Sequence, residues 1–280
     1  MGNPFLDPGP AETRYEARRL PRPGCVIRYW VSPGSTGPWL LFLHGAGADH
    51  RMFNMQLPAV PAGWRVLAWD ARGHGLSRPV EGSYSFATVR DDLLAVMDAE
   101  SIPSAVLVGQ SAGGNLAQDV AFFHPDRVDS LVVIDSTYNL QKLSALDSFL
   151  VRNAAAFMRP LPWGWMKRQS AKATVVDQAA RAYVEAAFSV IGKRDFIAAF
   201  SGLGDCLHYE GGRRIDKPIL LVVGERDGTG NIRAIAARWP QWEPQCRLVM
   251  LPEAGHGSNM DRPDELNRLM LGFLEERHGR

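Results

Sequence analysis

Apolar positions along the chain follow two alternating rhythms. Short apolar or β-branched runs at 25–32, 39–44, 64–69, 105–109, 128–134, 218–224 and 246–251 read as strands, since near-continuous apolar runs suit strands covered on both faces. Between them, 86–100 (FATVRDDLLAVMDAE), 112–123 and 262–275 space their apolar residues so that they fall on one helix face. Strands and helices in alternation predict a mostly parallel sheet joined by crossover helices, an α/β fold. The alternation stops after Asp135: from 136 to about 214 no strand pattern occurs, and segments such as DQAARAYVEAAFSVIG are helical by propensity. The expected organisation is a core formed by 1–135 and 215–280, interrupted by a helical cap at 136–214. Pro and Gly gather at 2–10, 31–38 and 160–164 as turns or hinges, without a repeat or low-complexity linker.

Composition narrows the function classes. The chain has 280 residues, is 46% hydrophobic and carries a formal charge of +1, values of an ordinary globular protein that give no reason to expect a nucleic-acid partner. Cys25, Cys206 and Cys246 are odd in number, far apart and not at metal-ligand spacing, so neither a disulfide framework nor a metal site is expected. The beginning, MGNPFLDPGPAETR, lacks a basic segment followed by an apolar core, and no apolar run approaches the ~18 residues of a membrane span. These features predict a cytoplasmic protein without membrane insertion, and leave a homo-oligomer open.

The candidate chemistry begins at VLVGQSAGG, residues 106–114. A Gly-x-Ser-x-Gly match alone is weak, but this one follows a strand-like run (SAVLVG) and opens a helix-like one (AGGNLAQDVAFFHPDR), the setting of a nucleophilic serine. A serine in so tight a turn adopts an unfavourable backbone conformation, and Gly109 and Gly113 leave room for neighbouring chain. The helix that follows aims its first amides at the site, which makes the Ala112 N–H a candidate donor to an oxyanion.

A serine hydroxyl needs a base to take its proton and an acid to orient that base. His256, in LPEAGHGSNMDRPDEL, follows the last strand in a Gly-flanked loop and falls at the same sheet edge as Ser111. Asp227, in ILLVVGERDGTGN, ends another strand at that edge, while Asp135, at the end of LVVIDS, is a competing acid. The order Ser, Asp, His is consistent with this reading. The loop LFLHGAGADHRMF offers the second oxyanion donor in Ala46, with Gly45, Gly47 and Gln110 expected beside the substrate. His44 is expected to hold this loop by hydrogen bonds, and Asp70, Arg72 and His74 to tie together the turn WDARGHGLSRP. His50, His124, His208 and His278 have no supporting context and are expected to be ordinary surface or core histidines.

HGAGAD, DARGHGLS, GQSAGG, GERD and the late GHG, in this order across nearly the whole chain, resemble the α/β-hydrolase superfamily. The resemblance implies the α/β-hydrolase fold, an eight-stranded mostly parallel sheet flanked by helices, with 136–214 as the cap. It further implies a triad of Ser111, Asp227 and His256, an oxyanion hole from the Ala46 and Ala112 amides, and no cofactor. A serine nucleophile stands where haloalkane dehalogenases and epoxide hydrolases of the family carry aspartate, which argues against those two activities. The Gly-Thr-Gly after Asp227 departs from the proline-containing helix start of many members and leaves Asp135 in contention.

Cap segments decide which molecules enter. This one is rich in bulky apolar residues, and Trp163 and Trp165, in the Pro/Gly-bounded PLPWGWM, are expected to wall an apolar acyl pocket. Between Lys142 and Arg194 basic residues exceed acidic ones, which solvated helix faces explain, although such a lid could also draw in anions. A serine hydrolase acting on an ester, lactone or thioester of a small apolar substrate is the leading expectation. The same triad could serve carbon–carbon hydrolysis, cofactor-free haloperoxidase or lyase chemistry, and the fold could carry a small-molecule receptor with little turnover.

Overall fold

The computed structural model of the chain describes residues 2–34, 36–82 and 84–279. One eight-stranded sheet forms its centre: β1 (Glu16–Arg22), β2 (Cys25–Val31), β3 (Trp39–Leu43), β4 (Arg65–Asp70), β5 (Ala105–Gln110), β6 (Val128–Ile134), β7 (Ile219–Gly224) and β8 (Cys246–Leu251). The order across the sheet is β1-β2-β4-β3-β5-β6-β7-β8. β2 runs antiparallel to β1 and β4, whereas β3 to β8 pair in parallel.

Seven strands lie where the apolar runs placed them; β1 does not correspond to any such run. Its sequence, EARRLPR, has no buried residue. It is the edge of the sheet, where charged side chains meet water and Pro21 can lack its amide hydrogen without breaking a ladder. In the interior, every residue of β3, β5 and β7 is buried.

Successive side chains in these strands serve opposite faces. A short helix, α1 (Pro10–Arg14), precedes β1; Leu41, Leu107, Val133 and Leu221 pack on one side with Leu93 and Val96 of α2 (Phe86–Ala99) and Leu116 and Val120 of α3 (Ala112–Phe123). Phe42, Val108, Val132 and Val222 pack on the other with Met270 and Phe273 of the C-terminal helix Pro263–His278.

Between β6 and β7 the chain contains only helices: α4 (Ala145–Arg152), α5 (Ala154–Met158), α6 (Trp163–Thr174) and α7 (Gln178–Gly202), followed by a 3-10 turn at Leu203–Cys206. Gly192, at φ 76° and ψ 163°, divides α7 into two pieces by a conformation that residues with a Cβ rarely adopt. Met166, Tyr183, Val184 and Phe188 of these helices share a continuous apolar cluster with Phe42 and Val108 of the sheet. No described helix is long and apolar enough to cross a membrane.

The sheet order reverses direction beside β3: β4 lies on one side and β5 on the other. In a parallel sheet such a reversal leaves a crevice beyond the carboxyl ends of the strands. The loops after β3, β5, β6, β7 and β8 all open toward it.

Candidate active site

β5 ends at Gln110 and α3 starts at Ala112, so a single residue makes the turn between strand and helix. That residue, Ser111, has φ 51° and ψ −116°, a conformation costly for a side-chain-bearing residue. Its neighbours make the turn possible. A Cβ on Gly109 would stand 2.2 Å from the Gly113 carbonyl oxygen, and one on Gly113 would stand 1.9 Å from that of Leu43. Both distances are far inside van der Waals contact, so only hydrogen fits at these positions.

His256, in the loop after β8, brings Nε2 to 2.9 Å from Ser111 Oγ and Nδ1 to 2.9 Å from Asp227 Oδ2. An ionised Asp227 can only accept, so Nδ1 carries the proton and Nε2 is free to accept from the serine hydroxyl. The Gly-Thr-Gly turn after Asp227 contributes here, because the Thr229 amide donates to Asp227 Oδ1 at 2.8 Å and leaves the other oxygen for the imidazole. Burial opposes a charged His256, but the Asp227 hydrogen bond and the charges of Asp227 and Asp135 outweigh it, raising its pKa above the usual value.

Asp135 is fully buried, yet it makes no hydrogen bond to the imidazole among the described residues. Its Oδ1 accepts from the Gly224 amide and its Oδ2 from the Ser258 amide, both at 2.8 Å. Burial and the neighbouring Asp227 charge push its carboxyl up to about 7. Of the two candidate acids, the imidazole therefore contacts Asp227, and Asp135 fastens the histidine loop to β7.

The loop after β3 closes the other side of the serine. A Cβ on Gly45 would lie 3.3 Å from Ser111 Cβ and 2.2 Å from Gln110 Oε1. Ala46 follows, and its amide donates to no protein acceptor among the described residues. Ala112 opens α3, where the first amides have no acceptor within the helix. Gln110 has a further task that its sequence position did not reveal: its Nε2 donates to the His256 carbonyl oxygen at 2.7 Å. Gly47, at φ 82°, lies beneath Phe188, whose Cε1 would stand 2.5 Å from an added Cβ.

Around this centre the expected turn residues are hydrogen-bonded, although Arg72 reaches out of its own turn to α2. His44 Nδ1 faces the Gly45 carbonyl and its Nε2 accepts from the Ala71 amide, each at 2.9 Å. Burial lowers its pKa, which keeps it neutral. Arg72 makes a two-pronged ion pair with Asp92 at 2.6 and 2.9 Å, and His74 Nδ1 stands 2.9 Å from the Arg72 carbonyl. His50 has more context than the sequence suggested. It is buried, with Nδ1 at 2.8 Å from Asp70 Oδ1 and Nε2 at 3.3 Å from Glu12. Burial works against its charge, but the Asp70 and Glu12 carboxylates raise its pKa to about 10.

Two cavities meet the serine. One, of about 280 Å³, is lined by Leu143, Leu150, Val151 and Leu207 of the helical segment, and by Thr137, Gln141 and Asn231. The other, of about 170 Å³, has walls of Ala46, Met52, Val184, Phe188, Phe196 and Met260. Ser111, Phe200, Thr229 and His256 border both. Neither Trp163 nor Trp165 does. PLPWGWM is not a free loop but leads into α6, where Trp163 packs at a tilt against Phe196, 5.4 Å between ring centroids, and Trp165 turns outward at 48% exposure. Phe196 and Phe188 hold the wall position expected of the tryptophans. No lysine or arginine lines either cavity, so the basic excess of the segment lies elsewhere.

The histidine loop also has partners in the helical segment. Asp261 accepts from the Gly255 amide at 2.8 Å and from the Val176 and Asp177 amides at the α6–α7 turn at 2.9 and 2.8 Å. The Gly257 amide donates to the Thr174 carbonyl at 2.8 Å.

Residues 40–269 match the model of the alpha/beta hydrolase family. Over 96% of this chain and 70% of the relative, the sequence is 28% identical to the dihydrolipoyllysine-residue acetyltransferase component of an acetoin cleaving system from Pseudomonas putida. It is 23% identical to 3-oxoadipate enol-lactonase 1 of Acinetobacter baylyi, covering 91% of this chain and 95% of that one. Among solved structures, a thermophilic esterase from Thermogutta terrifontis superposes with a TM-score of 0.77 at 22% identity, over 94% of this chain and 99% of the other. With the family pattern spanning both sides of the helical insertion, the chain belongs to the alpha/beta hydrolase family.

Proposed function

We propose that the chain is a serine hydrolase that cleaves a carboxylic ester, or the related lactone or thioester, through a covalent acyl-enzyme. The observation carrying this reading is the unbroken contact from Ser111 Oγ to His256 to Asp227, with both links at 2.9 Å. Ser111 Oγ attacks the carbonyl carbon while its proton passes to His256 Nε2, and Asp227 holds the imidazole and stabilises the cation that forms. The negative charge on the carbonyl oxygen is met by the amides of Ala46 and Ala112. His256 then returns the proton to the leaving oxygen or sulfur, the C–O or C–S bond breaks, and the acyl group remains on Ser111. Water, deprotonated by the same histidine, releases the acid and restores the serine.

The resemblance to an enol-lactonase and an esterase supports carbonyl–oxygen cleavage as the bond class, and residues 136–214 are read as the cap that shapes the pocket. The test compares wild type with Ser111→Ala on p-nitrophenyl acetate and on a fluorophosphonate probe. Loss of more than ~10³-fold in kcat/KM together with loss of labelling is expected. Turnover of the ester by Ser111→Ala at wild-type rate would reject the reading, and labelling of the wild type without turnover of any ester would favour a receptor.

A further inference from the structure

Both cavities at Ser111 are mainly apolar, but the larger also holds a hydrogen-bonded group of polar side chains. The smaller is walled mainly by Ala, Met, Val and Phe side chains. The larger is lined by Leu143, Leu150, Val151 and Leu207 and also by a group of uncharged polar residues. Three of these close a ring. Gln141 Nε2 donates to Thr137 Oγ1 at 2.5 Å, Thr137 Oγ1 donates to Asn231 Oδ1 at 3.4 Å, and Asn231 Nδ2 donates to Gln141 Oε1 at 3.2 Å. The ring joins the segment after β6 to the segment after β7, two stretches far apart in sequence.

The ring leaves hydrogen-bonding capacity unused. Each primary amide has two N–H groups, and only one of each is spent, so Gln141 and Asn231 each retain a donor. Asn115 differs, because its Nδ2 already donates to the Thr137 carbonyl at 3.1 Å and to Asn139 Oδ1 at 2.6 Å. A ligand group that accepts hydrogen bonds would satisfy the spare donors. Charge restricts it further. Besides the titratable His256, the only ionisable side chain among the lining residues is Asp147, and no cation pairs with it among the described residues. A carboxylate or phosphate placed here would lose its hydration and gain no counter-charge, a cost that an uncharged group escapes.

We propose that the Thr137–Gln141–Asn231 ring is a specificity subsite for a neutral, hydrogen-bond-accepting half of the substrate, such as an amide or a hydroxyl-bearing chain, while the Phe188–Phe196 limb holds an apolar half. The inference rests on the hydrolase reading above. The substrate class is therefore an uncharged, two-sided ester or lactone, polar on one side of the scissile bond and apolar on the other. The ring orients the polar side; it takes no part in bond making.

The test uses three esters that share one acyl group and differ at the end of the other half: a primary amide, its alkyl isostere and a carboxylate. Wild type should prefer the amide ester over the carboxylate by at least about tenfold in kcat/KM. Thr137→Val removes the hydroxyl that closes the ring at nearly constant volume, and should reduce the amide-to-alkyl ratio of kcat/KM by about tenfold, chiefly through KM, the worth of one or two neutral hydrogen bonds. Thr137→Ser keeps the hydroxyl and should restore the ratio. A ratio that moves less than twofold in Thr137→Val, or a wild type that prefers the carboxylate, overturns the subsite. Hydrolysis of p-nitrophenyl acetate, too small to depend on a distant polar end, separates the two ideas: its absence in wild type refutes the hydrolase reading, whereas its presence with an unmoved ratio refutes only the subsite.

Discussion

Replacing Asp227 by asparagine tests the assignment of the acid most directly. The Thr229 amide donates to Asp227 Oδ1 and the His256 ring faces Oδ2. In the variant the Thr229 N–H retains the amide oxygen, which turns the new NH2 group toward His256 Nδ1. A donor facing Nδ1 moves the ring proton to Nε2, and a protonated Nε2 cannot accept from Ser111. Both the tautomer and the stabilising charge are lost, so kcat should fall by about 10³–10⁴, or roughly 4–5.5 kcal/mol of transition-state stabilisation. Asp135→Asn should behave differently. It touches two backbone amides and not the ring. One of those amides would meet a donor, costing about 1–3 kcal/mol of stability, partly offset by removing a buried charge, and kcat should stay within about tenfold. The assay is kcat and kcat/KM on p-nitrophenyl acetate from pH 5 to 9, with urea unfolding of each variant. In wild type, activity should rise with pH through a midpoint above the histidine norm of ~6.5, because His256 must be neutral to act as base and its pKa is raised. The Asp135 charge contributes to that raised value, so Asp135→Asn should move the midpoint to lower pH. An Asp227→Asn enzyme within tenfold of wild type, or an Asp135→Asn enzyme more damaged than it, would refute the reasoning.

Stability should also depend on pH through His50. Its pKa is raised to about 10 in the folded chain from ~6.5 unfolded, so its pairing with Asp70 and Glu12 stabilises fully below about 6.5 and is lost as pH rises through about 10. Urea unfolding should show that alkaline decline in wild type and a lower, flatter profile in His50→Asn; equal slopes would exclude the ion pair as its source. Gly113→Ala should cost at least ~3 kcal/mol of stability, since its methyl would stand 1.9 Å from the Leu43 carbonyl oxygen; a soluble variant with an unchanged urea midpoint would contradict the close approach of β3 to α3.

Where physical cause and residue type coincide, the sequence was legible. The buried strands had to be apolar throughout because helices cover both sheet faces, so β3, β5 and β7 announced themselves. β1 is held by backbone pairing to β2 at an edge exposed to water, and a ladder needs no particular side chain, so EARRLPR carried no signal. The meeting of Ser111, Asp227 and His256 at one place was legible because each stands just beyond a strand in a Gly-marked turn. Trp163 and Trp165 misled because bulk and flanking Pro and Gly suggested a loop, whereas Pro162 precedes the first turn of α6. The task of Gln110 could not be read at all: its bond to the His256 carbonyl spans residues far apart in the chain and depends on both loops having reached their final places.

Asp261 has a bearing on how the pocket could open. Its carboxylate grips two amides at the junction of α6 and α7 and the amide of Gly255 in the loop that carries His256. Any swing of the helical segment about that junction would drag the imidazole off the serine. On the flank away from this junction α4 and α5 have no buried residue, and Gly192 breaks α7. The helical segment is thus tied by hydrogen bonds along the side next to His256, while α4 and α5, which border the larger cavity, bury none of their residues.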